Sequence, residues 1–145
     1  MRVTKWMDAK KAKELTRKHA MLVYLEIKEH SFVFDNVLKS NRISNETLSL
    51  YLDTDSWESS REYLTELPLD ELLHLGTYYR TVKQLNNFLD ACSGPLNPLV
   101  KQSFNRGFLM CEAMLHLLAK WWDYKNAQTH AESYCKFFEE ASRLM

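Results

Sequence analysis

Glu26 and His30 stand four residues apart in a run without glycine or proline, so on a helix the carboxylate and the imidazole lie one above the other. His19 projects within about 40° of both on the same helical wheel. All three interrupt an apolar stripe, where an unpaired charge is costly and a polar group needs a partner. Further on, Glu71-Leu72-Leu73-His74 has the Glu-x-x-His spacing with which helices of di-iron carboxylate bundles present ligands. Imidazoles and carboxylates from two facing helices suit iron, manganese or zinc. His19, Glu26, His30, Glu71 and His74 are therefore the candidates for a metal- or cofactor-binding cluster, and through it for an enzyme. The di-iron pattern requires two such motifs and two further glutamates, whereas one occurs here. No metal and no cofactor is assigned on this basis, and a satisfied polar cluster is the plainer expectation. Glu112 and His116 point away from the apolar face of their helix, and His130 reads as a boundary residue.

A second set of residues points to recognition rather than catalysis. Trp121 and Trp122 are adjacent and so point about 100° apart on a helix. Together with Met110 and Leu117 they make their helix apolar over more than half its girth. Such a helix is either central in a bundle or presents a face to a partner, since aromatic residues and Met are enriched in interfaces. Trp121, Trp122, Leu117 and Met110 are accordingly the candidate partner-binding residues. The partner is expected to be another protein or a second copy of the chain.

Several function classes drop out. Three glycines, at 76, 94 and 107, cannot build a dinucleotide-binding loop, a phosphate loop or a nucleophile elbow. The chain has no H-E-x-x-H. Cys92, Cys111 and Cys135 contain no C-x-x-C and read as reduced thiols in a cytoplasmic protein. No apolar run is long enough to span a membrane. Net charge is zero, but residues 1–20 hold seven basic and two acidic side chains, while residues 21–95 hold six and twelve. The basic start is a solvated helix face that pairs with acidic surface. Contact of residues 2–18 with an anionic surface ranks below that, and with no accompanying motif nucleic acid is not expected as a partner.

The elements that must position these residues are helices. Three glycines and three prolines in 145 residues are too few for a turn-rich β fold. The spacing predicts an all-α bundle of four or five helices in a single domain, 1–145. The first helix spans 8–39 with Asp8 as cap and Ala12, Leu15, Leu22, Val23, Val33, Phe34 and Val37 on its inner face. Residues 40–54 are irregular, with a short capped turn at Ser44-Asn45. A helix then runs from Thr54 or Asp55 to about 67, started by an Asp55/Glu58 capping box. Pro68 opens the next, to about 91, with Leu75, Tyr78, Val82, Leu85 and Leu89 inward. The loop 93–98 precedes a helix to about 122, on which Gly107 marks a close helix approach. A last helix covers 125–144, and the pattern leaves open whether it continues its predecessor. The functional expectation is a non-enzymatic interaction or regulatory module, self-associating through apolar and aromatic helix faces. The alternative is the metal- or cofactor-binding bundle.

Overall fold

The computed structural model describes residues 2–43 and 51–144, with side chains from residue 8 onward. Five α-helices carry the architecture: α1 (Arg2–Ser40), α2 (Asp55–Ser60), α3 (Leu69–Ala91), α4 (Pro98–Ala119) and α5 (Ala127–Arg143). The helix starts at Arg2 rather than at residue 8, so Asp8 lies inside α1 and caps nothing. At 1.5 Å per residue α1 is about 58 Å long. It ends where Asn41 takes a left-handed backbone (φ 55°), a conformation Asn tolerates better than most residues. The expected turn at Ser44-Asn45 lies outside the described residues.

α1 presents most of the face its hydropathy predicts, with Val23, Phe34 and Val37 buried and Val33 packed against the core, but Leu15 and Leu22 turn outward. Ala20, Val23, Ile27, Phe34 and Val37 are buried, as are Thr16, Glu26 and His30. Leu15 and Leu22, expected inside, are 43% and 39% exposed. The inner face is rotated toward the polar residues because these find backbone partners there.

The single helix expected over 55–67 is a six-residue helix, α2, followed by a 3-10 turn at Arg61–Tyr63. Its Asp55/Glu58 capping box does not form: Asp55 lies inside α2, the Glu58 amide donates to the Thr54 carbonyl at 2.9 Å, and the Glu58 side chain pairs with Lys83 of α3 at 3.2 Å. Pro68 precedes α3 as expected, and all five residues assigned to the inner face of that helix are buried. Asn97 caps α4 by accepting from the Val100 amide at 2.9 Å. The link before it pairs Gly94–Pro95 with Arg42–Ile43 in a two-residue antiparallel bridge, tying the end of α1 to the α3–α4 connection.

α4 and α5 are two helices. α4 ends at Ala119, short of Trp122, and a 3-10 turn at Tyr124–Asn126 reverses the chain. The hairpin is antiparallel: Gln102 near the start of α4 donates to the carbonyl of Leu144, and His116 faces His130. α4 is the central helix, buried along Val100, Phe104, Cys111, Met114 and Leu118 and packed against α1, α3 and α5. Gly107 permits that packing. A Cβ there would lie 2.7 Å from Leu85 Cδ1 and 2.9 Å from Phe34 Cε1.

Candidate functional site

Thr16, His19, Glu26 and His30 of α1 share one purpose, which is to hold the segment 51–66 against the bundle. A short helix and its flanking turns leave backbone donors and acceptors that no ladder satisfies. Glu26 caps α2 from outside it. Its Oε2 accepts from the Ser56 amide at 2.7 Å, and its Oε1 accepts from the Trp57 amide at 3.2 Å and from the Tyr79 hydroxyl at 2.7 Å. Burial pushes the Glu26 carboxyl above its ordinary range, and the three donors pull the other way.

One turn on, His30 Nε2 donates to the carbonyl of Asp53 at 2.6 Å, so its Nδ1 accepts from the Tyr78 hydroxyl at 2.8 Å. The tautomer follows from the partners, because a carbonyl can only accept. Burial lowers the His30 pKa to about 4, so the ring is neutral at pH 7. Asn86 of α3 completes the hold. Its amide accepts from the Leu52 N–H and donates to the Leu52 carbonyl, both at 2.9 Å. Nearer the start of α1, Thr16 donates to the Tyr63 carbonyl at 3.1 Å. His19 Nδ1 lies 2.9 Å from Ser60 Oγ, and its ring stacks on Tyr63 with centroids 4.4 Å apart.

Beneath this seam Cys111 donates to the Ile27 carbonyl at 3.5 Å, and burial raises its thiol to about 12. A thiol in that state is not a nucleophile at neutral pH.

Glu71 and His74 do not join the seam. Glu71 pairs with Lys120, just past the end of α4, at 3.1 Å. His74 hydrogen-bonds the Tyr134 hydroxyl of α5 and stacks on Phe138 with centroids 4.0 Å apart. The five candidates thus divide between two sides of α3. Among the described residues, no three His, Cys, Asp or Glu side chains gather as ligands around one point.

The candidate recognition residues also divide. Met110 and Leu117 are buried in the core around α4. Trp122 is half-buried and meets Tyr24 of α1 edge-on at 4.9 Å. Trp121 is half-buried and lines a recess of about 580 Å³ with Lys13, Arg17, Lys120 and Tyr124. A second groove, about 550 Å³, runs between α2 and α3. Trp57, stacked flat on Tyr79 at 5.0 Å, forms one wall, and Arg61 and Arg80 stand at the rim.

Two features escaped the sequence. His116 and His130 meet Nδ1 to Nδ1 at 2.8 Å, and His130 Nε2 donates to Asp123 at 2.7 Å. With His130 protonated on Nε2, its Nδ1 accepts from His116 while the pair is neutral. Burial, then the neighbouring His130, lower the His116 pKa. The three residues lie on two helices and a turn, and no local spacing announces their meeting. The other feature is a row of apolar side chains on the outside of α1. Leu15 is 43% exposed, Leu22 39%, Leu25 53% and Phe32 67%. Hydropathy spacing alone places Leu15 and Leu22 inward.

No helix among the described residues is long and apolar enough to cross a membrane. Comparison with protein-family models, with curated proteins and with solved structures gives no match.

Proposed function

We propose that the chain is a non-enzymatic interaction module whose principal contact surface is the outer face of α1. The observation that carries this reading is the row Leu15, Leu22, Leu25 and Phe32, exposed along the outer side of α1. Contiguous exposed apolar side chains rimmed by charge mark interaction sites in soluble proteins. The residues that first suggested chemistry are engaged elsewhere. Glu26 has three donors, both nitrogens of His30 have partners, and Glu71 and His74 pair across to Lys120 and Tyr134. The Trp121 recess offers a smaller secondary contact beside the start of α1.

Native mass spectrometry of untagged protein taken from cells tests the proposal. The expected result is an assembly heavier than the 17.2 kDa chain, reduced to the bare chain by Leu25→Glu/Phe32→Glu without loss of helicity. A wild-type chain that emerges alone would contradict it. So would one carrying only an ion or small molecule, which would turn attention back to the metal- or cofactor-binding alternative.

A further inference from the structure

The charges between the exposed leucines say what covers them. Leu15, Leu22, Leu25 and Phe32 fall at the two positions of a seven-residue repeat that a paired helix buries, and the seam positions between them are Lys18 and Glu29. Both are exposed, and neither makes an ion pair within the chain among the described residues. In an antiparallel pair of identical helices, residues facing each other have numbers with a constant sum. At a sum of 47 in the shared numbering, Leu15 faces Phe32, Lys18 faces Glu29 and Leu22 faces Leu25, each contact occurring twice about a two-fold axis. Farther out, Asp8 faces Lys39. Sliding the register by one heptad sets Leu22 against Lys18 or Leu25 against Glu29. A parallel pair sets Lys18 on Lys18 and Glu29 on Glu29.

We infer that the outer face of α1 binds a second copy of this chain, antiparallel, with the two-fold axis between Leu22 and Leu25. The inference rests on the interaction-module reading and names its partner. The contact from residue 15 to residue 32 is about 27 Å long. Each copy supplies the same patch, as a closed two-fold dimer requires.

Sedimentation velocity over a wide concentration range tests the pairing and its register, with circular dichroism confirming that every variant is folded. Wild type should approach twice 17.2 kDa as concentration rises. Leu25→Glu should weaken association by about 100-fold or more, because it removes apolar contact twice and buries charge. Lys18→Glu alone, and Glu29→Lys alone, should each weaken it by about tenfold, by facing like charges twice. An equimolar mixture of those two single variants should restore association, as should Lys18→Glu/Glu29→Lys in one chain. Loss of association in each single variant is specific to an antiparallel register, because a parallel pair already faces like charges in the wild type and neither variant would weaken it.

A wild type that stays monomeric throughout overturns the inference, as does a mixture no stronger than its components. If the dimer survives Leu25→Glu but is lost in Trp121→Ala, the chain is still an interaction module, but the outer face of α1 is not its contact surface and this register falls. If Leu25→Glu/Phe32→Glu strips a different protein from a monomeric chain, the interaction-module reading stands and the second copy is the wrong partner.

Discussion

The two faces of α1 invert the usual order. The inner face buries Thr16, Glu26 and His30 among its apolar residues, while the outer face exposes Leu15, Leu22, Leu25 and Phe32. Helices normally bury the second kind of residue and expose the first. The difference lies in what each face meets. The inner face meets 51–66, a segment whose backbone lacks partners of its own, so polar side chains there are fully used. The outer face leaves Leu25 and Phe32 more than half exposed. A buried carboxylate is tolerated where three donors converge on it, and an exposed leucine row is explained by a surface that covers it. Burial alone is a poor guide to function here, because the residues most suggestive of chemistry are the ones most fully occupied by the fold.

The sharpest way to break this contrast is at Glu26. Glu26→Ala strands the Ser56 and Trp57 amides and the Tyr79 hydroxyl, and should cost about 3 kcal/mol or more in denaturant unfolding. His30 gives the contrast a pH signature. Its imidazole titrates near 4 in the folded chain against 6.5 as the ordinary value. Below pH 6.5 the unfolded chain takes up a proton that the folded chain refuses, so stability falls from there to about pH 4 and then levels. That loss is about 3 kcal/mol. Glu26, held above its ordinary carboxylate range, acts in the opposite sense and returns some stability at the acid end. In His30→Gln the loss between pH 7 and pH 4 should shrink by that amount, read from unfolding curves across the range.

Smaller effects follow at the edges of the inner face. Asn86→Ala leaves both backbone groups of Leu52 unpaired and should cost about 2 kcal/mol. Gly107→Ala pushes a methyl group toward Leu85 and Phe34 and should cost about 1–3 kcal/mol. The outer face should show the smallest response. Phe32→Ser should change the stability of the dilute chain by no more than about 0.5 kcal/mol, because the side chain is two-thirds exposed.

Much of the helical frame was legible in the sequence, and the reasons are local. Pro68 and Pro98 mark helix starts by their own backbone chemistry, and Gly107 announces a close approach by lacking a side chain. The inner face of α3 follows from period alone. The orientation of α1 was legible only in part: Val23, Phe34 and Val37 are buried as their spacing predicts, whereas Leu15 and Leu22 weigh the same in a hydropathy pattern whether they meet a core or a partner. What settles the rotation is long-range: Glu26 reaches Ser56 and Trp57, and His30 reaches Asp53 and Tyr78. Glu26 and His30 could be singled out as anomalous, but their partners could not be named. Glu71 and His74 carried a ligand spacing yet face Lys120 and Tyr134, since spacing along one helix does not say which neighbour lies across from it. The His116–His130 contact was invisible for the same reason.

Leu25 and Glu26 are neighbours in sequence with opposite assignments, and together they test the account most directly. Denaturant unfolding of Leu25→Ala and Glu26→Ala should be measured side by side, at a concentration low enough to keep the chain dissociated. An inverted α1 predicts that the alanine at 26 loses about 3 kcal/mol or more while the alanine at 25 stays within about 0.5 kcal/mol of wild type. If the leucine substitution is the more damaging of the two, α1 is oriented the other way, and both its inner seam and its outer docking face are wrong.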